Sequence, residues 1–92
     1  MDEFSESNII ELYPNPFKDK LNIEFLSNSN GKVKIEVFLL DGKLAYENYF
    51  EVSKGKNNIS IENELSQVYG ILQVKTTSAN GEIFFNRVIK LE

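Results

Sequence analysis

The side chains of this chain that could do acid–base chemistry are its carboxylates, because the sequence holds no histidine and no cysteine. A Ser-His-Asp triad, a Cys-His dyad and an ordinary zinc site therefore cannot be built from it. Glu47, Glu51, Glu62 and Glu64 remain as candidates for paired-carboxylate catalysis, but a general acid needs a desolvated pocket that raises its pKa. These residues stand among polar and turn-forming neighbours, which leaves them solvated. Asp41, Glu62, Asn63 and Glu64 carry oxygens of the kind calcium prefers, yet their spacing matches no calcium loop. Phe38, Tyr46 and Tyr49 offer either a flat aromatic face for a sugar or filling for the interior and edges of a sandwich. The expectation is a protein that is not an enzyme, with no cofactor and no metal.

The elements that would have to position any site are short strands. At 92 residues and 41% apolar the chain is long enough for one core. It contains no long uncharged apolar run of the kind that inserts into a membrane. The net charge of −4 and singly scattered lysines and arginines argue against nucleic acid, which demands clustered cations on one face. Absence of cysteine excludes disulfides and leaves the compartment open. Residues 1–8 are acidic and serine-rich, without the basic start and apolar middle of a secretory signal, and are expected to be the remnant of a linker. Leu91-Glu92 are expected to be the scar of an expression tag, so that the domain itself spans 9–90.

Tyr13-Pro14-Asn15-Pro16 is the stiffest stretch. Each proline fixes its own φ, lacks an N–H, and pushes the residue before it towards extended conformations, and Asn15 can bond nearby backbone as turn asparagines do. It reads as a corner between a first edge strand, Ile9 to Tyr13, and a second strand in which Leu21, Ile23 and Phe25 share one face. In the next strand Val33, Ile35, Val37 and Leu39 alternate with Lys32, Lys34 and Glu36, the cleanest period of two in the chain. Asp41-Gly42 should turn it into a strand from Lys43 to about Val52, aspartate tolerating positive φ better than most residues.

After the polar turn Ser53 to Asn57, a strand is expected over Asn58 to Ile61. Glu62 to Gln67 should cross between sheets as a loop anchored by Leu65. Val68 to Thr77 and Glu82 to Lys90 then form a final hairpin about Asn80-Gly81, with Ile83, Phe85 and Ile89 on one face and Phe84, Asn86, Val88 and Lys90 on the other. About seven short strands with turns every eight to twelve residues predict an all-β, immunoglobulin-like sandwich of antiparallel strands in two sheets.

From Leu12 to Lys90 the chain resembles the type A C-terminal sorting domain of the Bacteroidetes type IX (Por) secretion system. The residues that carry the resemblance are Tyr13-Pro14-Asn15-Pro16, then Asp41-Gly42-Lys43 closing a central strand, Gly55 with Ile59 before Leu65, a strand through Ile71 and Val74, Gly81, and the closing Arg87-Val88-Ile89-Lys90. It departs where the family shows Leu, two residues, Gly, one residue, Tyr: here Val68 stands in place of the Gly and Gly70 in place of the Tyr.

The resemblance implies a non-catalytic label at the C-terminal side of a cargo protein. Outer-membrane export and sortase components would recognise it after the precursor reaches the periplasm. The label would be cut off upstream, in or before residues 1–8, and the cargo left on the cell surface or released. A monomer is expected. The alternative is a carbohydrate-binding or adhesive module of a surface protein. The last hairpin ends in a strand edge that a receptor strand could extend, and Arg87 with Lys90 would give that tail a small positive end.

Overall fold

The computed structural model describes residues 9–92, so the linker expected over 1–8 lies outside the described residues. The described residues form seven strands: β1 Ile9–Tyr13, β2 Leu21–Ser27, β3 Gly31–Phe38, β4 Leu44–Val52, β5 Gly55–Ile61, β6 Gly70–Thr77 and β7 Ile83–Lys90. They form a three-stranded sheet in the order β1-β2-β5 and a four-stranded sheet in the order β4-β3-β6-β7. All strand pairs are antiparallel, and the sheets pack face to face as the expected sandwich.

The alternating positions explain the packing. Leu21, Ile23 and Phe25 of β2 and Ile59 and Ile61 of β5 face Val33, Ile35 and Val37 of β3, Leu72 and Val74 of β6 and Val88 of β7, all of them buried. Each such side chain contributes about 1.5–3 kcal/mol by leaving water. Phe25 meets Phe84 edge to face across the sheets, with ring centroids 6.3 Å apart and planes at 85°. Leu39, expected to continue the β3 face, follows the end of that strand and packs against the core from the turn. Leu65 is buried as expected, but the segment that carries it, Asn63–Leu65, is a 3-10 turn and not plain loop.

The two hairpins of the larger sheet share one design. Leu39 N–H donates to Lys43 O at 2.8 Å and Gly42 N–H to Leu39 O at 2.9 Å. In the other hairpin Ser78 N–H donates to Glu82 O at 2.8 Å and Gly81 N–H to Ser78 O at 3.0 Å. Only the glycines, at φ +90° and +93°, use the left-handed region. Asp41 does not, contrary to expectation. Its carboxylate instead accepts the Lys43 N–H at 3.0 Å and stiffens the turn, as asparagine-type turns do.

β5 begins at Gly55, earlier than the sequence suggests, because the polar residues before Ile59 are held by β2. Asn57 donates to Phe25 O at 3.3 Å and to Ser53 O at 2.9 Å, and Lys56 reaches Glu24 at 3.4 Å. β4 alternates poorly because it is an edge strand, and its register against β3 shifts between Val37 and Phe38.

Candidate functional site

The corner after β1 is where the chain changes sheets. β1 is paired with β2 as far as Tyr13, and beyond Pro16 the backbone of Phe17 joins the opposite sheet, in a parallel bridge to Lys90. Two prolines suit this position. They donate nothing to either sheet, and their fixed φ directs the chain outward.

Asn15 and Phe17 make the attachment. The Asn15 side-chain oxygen accepts the Ile89 N–H at 2.9 Å, and its amide group donates to Arg87 O at 3.2 Å. Phe17 N–H donates to Ile89 O at 2.9 Å, and Phe17 O accepts the Leu91 N–H at 2.8 Å. The Phe17 ring, 1% exposed, enters the core beneath them. Asn15 thus bonds backbone far along the chain and not the backbone two residues on, the local partner that turn asparagines commonly take.

The N- and C-terminal motifs are therefore joined through Asn15 and Phe17, which bond the strand that carries Arg87 and Lys90. Pro14 and Pro16 flank Asn15, and Tyr13 ends β1, with its hydroxyl bonded to Asn58 of β5. Asp41, Gly42 and Lys43 lie at the same end of the four-stranded sheet, across β6, while Gly81 turns the β6–β7 hairpin at the opposite end. Replacing Asn15 with Ala is expected to cost about 1–2 kcal/mol in denaturant unfolding and to speed hydrogen exchange at the Ile89 amide. Asn15→Asp, which keeps the acceptor and loses the donor, should cost less.

Arg87 and Lys90 do not make a common positive end. They fall on opposite faces of β7: Arg87 is exposed outside, whereas Lys90 shares the inward face of Val88 and is 7% exposed. The Lys90 ammonium sits 4.7 Å from the centroid of the Tyr69 ring, a cation–π contact at the rim of the sandwich. Tyr69 belongs to the segment that departs from the family pattern. There Val68 packs against the core, and Gly70, at φ +92°, begins β6 opposite Lys90.

The outer faces of the sheets differ. That of the three-stranded sheet is bound by polar pairs: Tyr13 with Asn58, Asn22 with Ser60, and Glu24 with Lys56. On the four-stranded sheet the half formed by β3 and β4 is charged. Lys34 lies 3.6 Å from Glu36 and 3.8 Å from Glu47, and Lys75 lies 3.9 Å from Glu36. Glu36 foremost, with Tyr49 and Glu47 adding to it, raises the Lys34 pKa above the ordinary lysine value.

The half formed by β6 and β7 carries Lys75 and Arg87 among apolar side chains, with Ile71, Ile83, Phe85 and Ile89 exposed. A shallow groove of about 280 Å³ runs between Phe38, Leu40 and Gly42 on one side and Phe85 and Arg87 on the other. Phe38 and Tyr49 face outward, but Tyr46, opposite Val37, is turned inward against the core, so the three aromatics do not form one sugar-binding face. Among the described residues no three metal-ligating side chains converge, and no helix is long and apolar enough to cross a membrane.

Sequence reasoning missed the bond between Asn15 and β7. It joins residues far apart in the chain, and no local pattern signals it.

Comparison with known proteins bears on fold and family separately. A β-glucosidase from Listeria innocua in complex with glucose superposes with a TM-score of 0.50 at 11% identity, over 94% of this chain and 16% of that one. The same enzyme without the sugar gives a TM-score of 0.50 at 15% identity, over 91% of this chain and 16% of that one. The chain spans about a sixth of the length of those structures, and at such identities the likeness is one of fold alone. No curated protein matches. The family model of the secretion system C-terminal sorting domain matches residues 11–90, from within β1 to the last residue of β7. With both of its end motifs joined at one corner and matched along nearly its whole length, the chain belongs to the family of C-terminal sorting domains of type IX secretion.

Proposed function

We propose that this domain is the non-catalytic signal by which a cargo protein joined to its N-terminal side is sent through the type IX system. The family match over residues 11–90 carries this reading. In it, outer-membrane components recognise the folded domain after it reaches the periplasm, and a sortase cuts upstream, in or before residues 1–8. The cargo is left on the cell surface or set free. The fold supports recognition of a shaped surface, because the residues of the end motifs are brought together only in the folded domain.

The test is a fusion of residues 1–90 to an inert periplasmic reporter, expressed in a bacterium that has this export system. The reporter should appear outside the cell, with the domain removed from it. A reporter held in the periplasm would refute the reading, and one exported with the domain still attached would refute the cleavage step.

A further inference from the structure

The sheet change at Pro14–Pro16 divides the edge of β7 in two. Backbone groups alternate in direction along a strand, and the bonds to Asn15 and Phe17 show that residues 87, 89 and 91 turn theirs away from β6. The corner occupies Arg87 C=O, both groups of Ile89 and Leu91 N–H. By the same alternation both groups of Ile83, both of Phe85, and Arg87 N–H point outward. Among the described residues these have no backbone partner, since before the corner the chain is committed to β2.

The side chains along this open stretch are unusual for an unpaired edge, which proteins commonly protect with lysine or proline. Ile83 is 52% and Phe85 60% exposed, and Arg87, the cation that ends the stretch, has no ion pair among the described residues. A cation with no ion pair among the described residues, beside apolar side chains on a domain of net charge −4, complements a segment that carries an acid.

We infer that the open half of β7, Ile83 to Arg87, is a docking edge for an extended segment of a partner protein. That segment adds to the four-stranded sheet as a further strand. It places an apolar side chain beside Phe85 and, two residues away on the same face, an acidic one beside Arg87. This rests on the sorting function and specifies where the export machinery would grip. The corner sets the length of the docking edge, because beyond Arg87 the outward groups are already taken.

The experiment is the same reporter fusion of residues 1–90, made with the unaltered domain as parent and with its Phe85→Val, Phe85→Pro, Arg87→Glu and Tyr49→Ser variants. The Phe85 N–H points away from β6, so proline removes a docking donor without breaking the ladder, whereas valine keeps the donor and an apolar strand side chain. Thermal unfolding of each purified chain checks folding. If Phe85→Pro does not fold, Ile83→Pro removes the neighbouring outward donor in its place, and Arg87→Glu tests the charge independently. Export should fall by about tenfold or more in Phe85→Pro and Arg87→Glu, the scale of one lost hydrogen bond or charge pair at an interface. Tyr49→Ser should export as the parent does, and Phe85→Val, which keeps the docking donor, should lose less export than Phe85→Pro.

Equal export of the parent and of folded Phe85→Pro would overturn the docking edge while leaving the sorting function standing. Failure of the parent itself would overturn the sorting function. If the purified parent is a dimer that Phe85→Pro converts to a monomer, the edge is filled by a second copy and the partner strand is refuted.

Discussion

Phe17→Ala is expected to lower the unfolding free energy by about 3–5 kcal/mol, the range for emptying a buried phenylalanine site. A domain of this size holds about 5–14 kcal/mol in all, so the variant should lose about a fifth or more of its stability and about 12–40 °C of melting temperature. The Phe17 ring is buried beneath the corner, and its own backbone closes the end of β7 through Ile89 and Leu91. Loosening the ring should therefore also speed exchange at the Ile89 and Leu91 amides, beyond the change at amides in β2 and β3. Phe17→Leu, which refills most of the volume, should cost about 1–1.5 kcal/mol. If the alanine variant melts within a few degrees of the parent, the corner is not the anchor described.

The second large effect is expected at Gly31, the first residue of β3. Its φ is +150°, and a Cβ built there would stand 2.6 Å from the Cβ of Ala79 in the β6–β7 turn. Backbone strain and overpacking together put Gly31→Ala at about 2–4 kcal/mol. The double variant with Ala79→Gly removes the opposing methyl and should recover about 1–2 kcal/mol, leaving the backbone part of the cost. Denaturant unfolding of the two single variants and the double measures this directly. Additive losses would show that the two residues are not in contact.

How far such features could be read in advance depended on whether their cause was local. Val33, Ile35 and Val37 announce themselves because one face of a central strand is buried along its length, and all three are in the core. β7 presents apolar residues on both faces, so its period of two is legible while the choice of inner face is not. Packing of Val88 against the core decides it, and Ile83, Phe85 and Ile89 are left outside.

Lys90 is instructive in the opposite sense. Its place in phase with Val88 implied an inward side chain, but a terminal lysine is expected in water. It is buried because Tyr69 offers its ammonium a ring face at the rim, while the long stem can lie along apolar surface. The aromatic trio failed for a similar reason: Tyr46 and Tyr49 are an odd number of residues apart, and a strand sends such residues to opposite faces. The bonds of Asn15 were invisible because their partners lie at the other end of the chain.

Those bonds also bear on the order in which the protein is made. Within the domain Asn15 is synthesised first, and its partners at Arg87 and Ile89 follow 72 and 74 residues later. The corner therefore cannot be completed until almost the last residue of the domain has been added, and a contact of that span is among the slowest kinds to form. A chain broken off before β7 would have neither a finished corner nor a strand beside it. Closure of the two ends thus acts as a check on length: the domain presents the finished end of its larger sheet only when it has been translated through to Ile89.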